Sequence, residues 1–167
     1  FLHRLTISAL AASATTTSAN NTPFMLADYL LYYPFIDTDA AGEEQLLDNT
    51  VTIPRYSAGQ VIAIAQSASS AVGQFTMSYT NQDGTAGRTS QTTFTLATIT
   101  GGGQSLISAR SAAGTLPFVG LQTGDTGVKS IESVTFSVAG GGLVCLVLVK
   151  PLMSGIMPQV SRRTTSG

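Results

Sequence analysis

The sequence predicts an all-β protein: an antiparallel β-sandwich, jelly-roll-like in topology, with extended arms at both ends. Three observations support this fold class. Runs rich in Thr, Val, Ile and Phe are short. Turn signals made of Gly, Asp and Asn separate them at spacings of roughly 8–12 residues, as in sandwiches and jelly rolls. Helical periodicity is nearly absent, and only Glu43–Asp48 has the composition for one helical turn. We expect residues 1–22 to be an N-terminal arm or linker, 23–152 the sandwich domain and 153–167 a C-terminal arm.

The first half of the chain contains β-like runs after a low-complexity linker. Residues 11–22 are mostly Ala, Ser, Thr and Asn, a composition that buries little apolar surface. The aromatic-rich segment 24–36 follows, and Pro34 argues against a long helix in it. The aromatic cluster Tyr29–Phe35 within it belongs either to the core or to a subunit contact. The core is favoured, because each side of a sandwich needs aromatic volume. Val51–Ile53 and Val61–Ala65 are the next apolar runs.

Two hairpins are predicted in the second half. Phe75–Tyr79 and Thr92–Leu96 alternate apolar and polar residues, and the turn signal Asp83-Gly84 lies between them. The second hairpin begins with the run that contains Ile131, Val134, Phe136 and Val138. It leads through Gly140–Gly142 into the run Leu143–Val149. Because that run is continuously apolar, it suits a strand buried on both faces.

Charge is scarce along the whole chain. Only 10% of the residues are charged and the net charge is −1, whereas a typical soluble domain has about 25% charged residues. A surface of this kind is poorly protected against association, which favours a subunit whose faces are covered by neighbours. The eight Lys and Arg residues are scattered, so no nucleic-acid interface is predicted. No run of 18 uninterrupted apolar residues occurs, so no membrane-spanning helix is predicted.

Residues suited to catalysis are few. His3 is the only histidine and lies near a terminus, where a solvated side chain is a simpler interpretation than a member of a catalytic triad. Cys145 is the only cysteine and lies in an apolar run, so we expect a small buried hydrophobe rather than a nucleophile. The sequence therefore predicts neither an enzyme nor a cofactor.

The acidic segment, defined here as residues 37–48, partly matches a calcium-binding loop. Asp37, Asp39 and Gly42 occupy its first, third and sixth positions, and Asp48 occupies the twelfth. The fifth position is alanine, the twelfth lacks the longer glutamate, and the flanks are not convincing helices. A solvated acidic segment is the favoured interpretation, with weak cation binding as the alternative.

Two segments resemble structural proteins of tailed bacteriophages. The first is Tyr79–Thr89, and the second runs from Gly124 to Phe136 and on to Leu146–Leu152. Auxiliary capsid proteins of this kind, called decoration proteins, are often β-sandwiches that bind the shell as oligomers. The resemblance implies a virion component assembled in the host cytoplasm. Its implied partners are other copies of itself, with a trimer as one option, and the major capsid protein or other virion proteins.

The C-terminal arm is the predicted interface. Gly155 and Pro158 oppose regular structure there. A loose tail normally carries less apolar surface than this one, so an arm laid over a neighbouring subunit is favoured over a free tail. The two arginines near its end are suited to pairing with a partner's carboxylates. The predicted interface residues are Leu152, Met153, Ile156, Met157, Val160, Arg162 and Arg163.

These observations predict a non-enzymatic phage virion protein that decorates or stabilises the capsid through subunit contacts and arm exchange. The alternative is a receptor- or glycan-binding module of a head fibre or tail. For that alternative, the loop Asn81–Arg88 is the best candidate site.

Overall fold

The computed structural model describes residues 22–68, 71–95, 110–111, 114–115 and 118–157. These residues form two antiparallel sheets and contain no helix, so the all-β prediction is confirmed. The chain divides into two units, one of Ala27–Lys150 and one of Phe1–Leu26 with Pro151–Gly167. The strands are β1 (Thr22–Asp37), β2 (Glu44–Leu46), β3 (Gln60–Ala65), β4 (Gln74–Asn81), β5 (Arg88–Thr89), β6 (Thr93–Phe94), β7 (Arg110–Ser111), β8 (Gly114–Thr115), β9 (Val128–Val138) and β10 (Leu143–Met157).

The smaller sheet has three strands in the order β1–β10–β3. β10 pairs antiparallel with β3, and its residues 144–149 are all buried. Leu146 and Leu148 pack into the main core, whereas Cys145 and Val147 pack into a second apolar cluster. Because successive residues of a strand point to opposite faces, this run is covered on both faces, as its continuous apolar sequence predicts.

The larger sheet has the order β2–β9–β4–β6–β7–β8, with β5 also paired to β4. Along β4 the residues alternate between buried and half-buried, and Phe75, Met77 and Tyr79 face the core. β4 pairs antiparallel with β5 and with β6. In the turn that follows β4, Gly84 adopts φ +86°, a left-handed conformation that favours glycine. The first predicted hairpin is therefore confirmed, with a second strand that is shorter than expected.

The second predicted hairpin is wrong, because β9 and β10 lie in different sheets. The glycines between these strands connect the sheets instead. Gly140 lies so close to Gly73 that a Cβ on either would be 3.1 Å from the other's backbone. Gly142 has φ +92°, and a Cβ there would collide with the carbonyl oxygen of Ala68. Val51–Ile53, also expected to be β-like, is not a strand.

Side chains from both sheets meet in one apolar core. Phe75 of β4 and Phe136 of β9 are cross-strand partners, and their ring centroids lie 5.2 Å apart in a tilted arrangement, which is favourable for aromatic pairs. The hydroxyl of Tyr33 in β1 accepts a hydrogen bond from the Ile131 N–H in β9 at 3.0 Å. The core therefore includes a buried polar link between the two sheets.

One set of strand pairs is nested, although β10 also pairs with β3, β9 also pairs with β4, and β6, β7 and β8 pair in sequence. β1 pairs with β10, β2 with β9, and β4 with β6. Beside β3, the Val119 N–H donates to the carbonyl oxygen of Val61 at 2.8 Å. Early strands therefore lie beside late ones, and the pairing moves inward along the chain. β1 and β2 each end the strand order of their sheet, so among the described residues each has one edge without a partner strand.

Candidate interaction surface

An apolar groove lies between the edge strands β1 and β2, within the Ala27–Lys150 unit. Its cavity has a volume of about 240 Å³. Leu46 is 80% exposed and Val51 is 48% exposed, so part of its wall is apolar surface open to water. Such surface marks interaction sites on soluble proteins when it is contiguous. The groove is lined by Leu31, Tyr32, Tyr33, Pro34, Leu46, Leu47, Asp48 and Val51.

The outer face of β1 adds aromatic surface to the groove. Tyr29, Tyr32 and Phe35 are 52%, 53% and 72% exposed, and the rings of the two tyrosines lie 5.9 Å apart. On the inner face the buried residues are Leu30, Tyr33 and Ile36. The expectation that segment 24–36 supplies core aromatics is therefore correct for Tyr33 and wrong for the three exposed rings.

The spacing along β1 explains this division. Buried residues recur every third position, whereas a regular strand alternates at every second position. An irregular backbone is needed for this, and Phe35 has a φ of 60°. Its N–H is satisfied by the side-chain oxygen of Gln66 at 2.6 Å.

The groove residues on the β2 side carry a sequence signal that sequence reasoning missed. Leu46 and Leu47 are adjacent, and neighbouring residues in an extended chain point to opposite sides. Only one of the two leucines can face the core. Leu47 packs against the core cluster, and Leu46 is left on the surface.

The acidic segment runs from the last residue of β1 through β2 and borders the groove. Its carboxylates belong to exposed residues, and Asp48 itself lines the cavity. Asp37 accepts the Asp39 N–H at 2.8 Å, and Asp48 accepts the Thr50 hydroxyl at 2.6 Å. These local bonds shape the turns. Among the described residues, no group of three or more His, Cys, Asp or Glu side chains is arranged to hold a metal ion.

An ion pair lies beside the exposed aromatic residues. Arg55 donates to both carboxylate oxygens of Asp28, at 2.9 and 2.7 Å, and to the Tyr29 carbonyl at 3.2 Å. The hydrogen bond from Arg55 lowers the pKa of Asp28. Lys150 lies 5.8 Å from the centre of the Tyr56 ring, within cation–π range. These charged side chains therefore already have contacts within the chain.

The loop Asn81–Arg88 is held by a buried carboxylate. The Asp125 side chain is only 3% exposed. It accepts from Arg88 at 2.9 Å, from the Tyr79 hydroxyl at 2.6 Å and from the Asn81 amide at 2.9 Å. These hydrogen bonds, the one from Arg88 most of all, lower the pKa of Asp125 to about 2. Burial and the bond to Asp125 raise the pKa of Tyr79 to about 12.

Other polar groups of the loop are also used internally. Gln82 accepts the Thr126 N–H at 3.0 Å and donates to Asp83 at 2.9 Å. Glu132 of β9 accepts the Gly87 N–H of the loop at 3.2 Å, together with the Ser78 and Thr80 hydroxyls of β4 at 2.8 and 2.7 Å. Several polar side chains of the loop therefore already have partners within the chain.

The two residues considered for catalysis fall in different places. Cys145 is buried in β10, and burial raises the pKa of its thiol, which disfavours the nucleophilic thiolate. His3 lies outside the described residues. No helix in the described part of the chain is long and apolar enough to cross a membrane.

The predicted interface residues are only partly described. Leu152 and Met153 are exposed, at 55% and 48%. Ile156 and Met157 belong to β10, although the description of the chain does not extend to their side chains. The strand also runs through Gly155, so the expectation of irregular structure there is wrong. Val160, Arg162 and Arg163 lie outside the described residues.

Comparisons of the chain with protein-family models, with curated proteins and with solved structures found no match.

Proposed function

We propose that this chain is a non-enzymatic structural protein of a tailed-phage virion, assembled in the host cytoplasm, where it decorates or stabilises the capsid through subunit contacts. The observation that carries the proposal is the exposed apolar groove beside Tyr29, Tyr32 and Phe35 on a chain with 10% charged residues. Covering such a surface removes apolar area from water and desolvates few charges. Its partners are other copies of the chain and the major capsid protein or other virion proteins.

The fold we propose is a jelly roll, because the nested pairing is that of one long antiparallel hairpin rolled on itself. The outermost pair is β1 with β10, the next is β2 with β9, and the innermost is β4 with β6. Rolling the hairpin would place its strands in two sheets, which accounts for β10 beside β3 and β9 beside β4. Jelly rolls are common in viral capsid domains. Residues 1–22 and 153–167 are the arms of this proposal.

Sedimentation of the full chain over a wide range of protein concentration tests the association. We expect a discrete homo-oligomer whose subunit interface buries about 1,600 Å² in total, the usual size of a specific interface. Tyr32→Asp should shift it to monomer, whereas Ala86→Asp, in the exposed loop after β4, should not. An antibody against the chain should also label intact particles of the virus that encodes it. A monomer at every concentration, with unlabelled particles, would contradict the proposal.

A further inference from the structure

We propose that residues 158–167 of a second copy of this chain bind in the groove between β1 and β2, with Val160 against Leu46 and the Arg162-Arg163 pair against the acidic segment. This inference rests on the proposed assembly function and assigns the contact through which it acts.

Charge complementarity supports this occupant. The acidic segment contains five carboxylates and no Lys or Arg, and the ion pairs of the described residues, Arg55–Asp28 and Arg88–Asp125, use none of them. Arg162 and Arg163 are the only adjacent pair of Lys or Arg residues in the sequence. Opposite charges across an interface fix its register and disfavour wrong partners. The five carboxylates belong to Asp37, Asp39, Glu43, Glu44 and Asp48.

The spacing of apolar and charged residues also agrees on the two sides. In an extended chain, residues two positions apart point to the same side, about 6.6 Å from each other. On β2, Glu44 and Leu46 are two apart and both exposed. In the arm, Val160 and Arg162 are two apart. An extended arm beside β2 would therefore place Val160 against Leu46 and Arg162 against Glu44 at the same time.

The proposed assembly function favours a second copy as the source of the arm. Residues 158–167 are enough to span roughly 33–36 Å when extended. An arm that covered the groove of its own chain would join no subunits. An arm that covers the groove of a neighbour buries apolar surface of both copies and links them, as the proposed function requires.

Disulfide trapping tests the contact in the full chain. A tagged Leu46→Cys variant is mixed with an untagged Val160→Cys variant under mild oxidation. Cys145 is buried, so the introduced thiols are the reactive ones. We expect a crosslinked heterodimer of these two variants. Replacing Leu46→Cys by Ala86→Cys, an exposed position in the loop after β4, should give little crosslink.

A charge-reversal series provides an independent measurement. Arg162→Glu with Arg163→Glu should raise the dissociation constant of the oligomer by about tenfold or more, because favourable charge pairs become repulsive. Arg162→Lys with Arg163→Lys keeps the charge and should change it far less. Adding Glu43→Arg with Glu44→Arg to the reversed arm should restore much of the lost affinity.

The outcomes separate this inference from the assembly proposal. An oligomer whose affinity is unaffected by the arm reversal would overturn the inference and leave the assembly proposal standing. A chain carrying both cysteines that forms an intramolecular disulfide instead of a heterodimer would also overturn it. If the unmodified chain stays monomeric and does not label particles, both proposals fail.

Discussion

The same substitution at two leucines should separate association from folding. Leu46 is 80% exposed and Leu146 is fully buried. Leucine to alanine removes three carbon atoms, worth about 2.4 kcal/mol of apolar burial when the side chain is completely covered. For Leu46 only about a fifth of that is realised on folding, so Leu46→Ala should lower the free energy of unfolding by about 0.5 kcal/mol.

The larger part of that value should appear in association. If a neighbouring copy covers the exposed four fifths of Leu46, its truncation costs about 1.9 kcal/mol, or about a 25-fold rise in the dissociation constant. Leu146→Ala should instead lower the free energy of unfolding by about 2–5 kcal/mol, because it leaves a cavity in the core.

Two assays distinguish these effects. Urea unfolding at a protein concentration below the dissociation constant reports folding alone, because association otherwise stabilises the folded state. Sedimentation across a concentration series reports the dissociation constant. If Leu46→Ala costs as much folding stability as Leu146→Ala, or leaves association unchanged, then Leu46 does not act mainly through association.

Three further predictions concern stability. Hydrogen bonds from Arg88, Tyr79 and Asn81 lower the pKa of Asp125 to about 2, below the ordinary value of about 3.9. The ionised Asp125 carboxylate therefore stabilises the folded state above pH 4, and this stabilisation is lost as the pH falls toward 2. Asp125→Asn should flatten the pH dependence of urea unfolding in that window. Gly142→Ala should lower the melting temperature more than Gly124→Ala. Both glycines have φ above +90°, but only at Gly142 does an added Cβ collide with backbone. Adding EDTA should leave the melting temperature unchanged, and a large drop would revive cation binding by the acidic segment.

The strands with an unambiguous period were predictable from the sequence. β4 alternates without exception, and the turn after it has a glycine where the backbone is left-handed. Residues 144–149 are continuously apolar and are buried on both faces. In these segments the local pattern and the tertiary environment require the same residues, so local reasoning is sufficient.

Sheet membership was not predictable in the same way. β9 and β10 are joined by Ala139 and three glycines, and a glycine run permits a tight turn as readily as a crossover between sheets. The difference lies in contacts distant in sequence, such as Gly140 against Gly73. The exposed rings of β1 were missed because its buried residues recur every third position, whereas a regular strand alternates at every second position.

The distribution of the carboxylates along the chain supports the groove as an interaction surface. Asp28 and Asp125 are paired with arginines, and Glu132 is held by hydroxyls. In the part of the chain that the structure describes, the carboxylates that form no ion pair are concentrated in the acidic segment. On a chain with so few charges, placing most of its acids beside exposed Leu46 combines an apolar driving force with an electrostatic means of selecting a partner. A surface that only needed to remain soluble would gain more from distributing these charges evenly. The clustering therefore supports the proposal that this side of the Ala27–Lys150 unit binds a second copy of the chain.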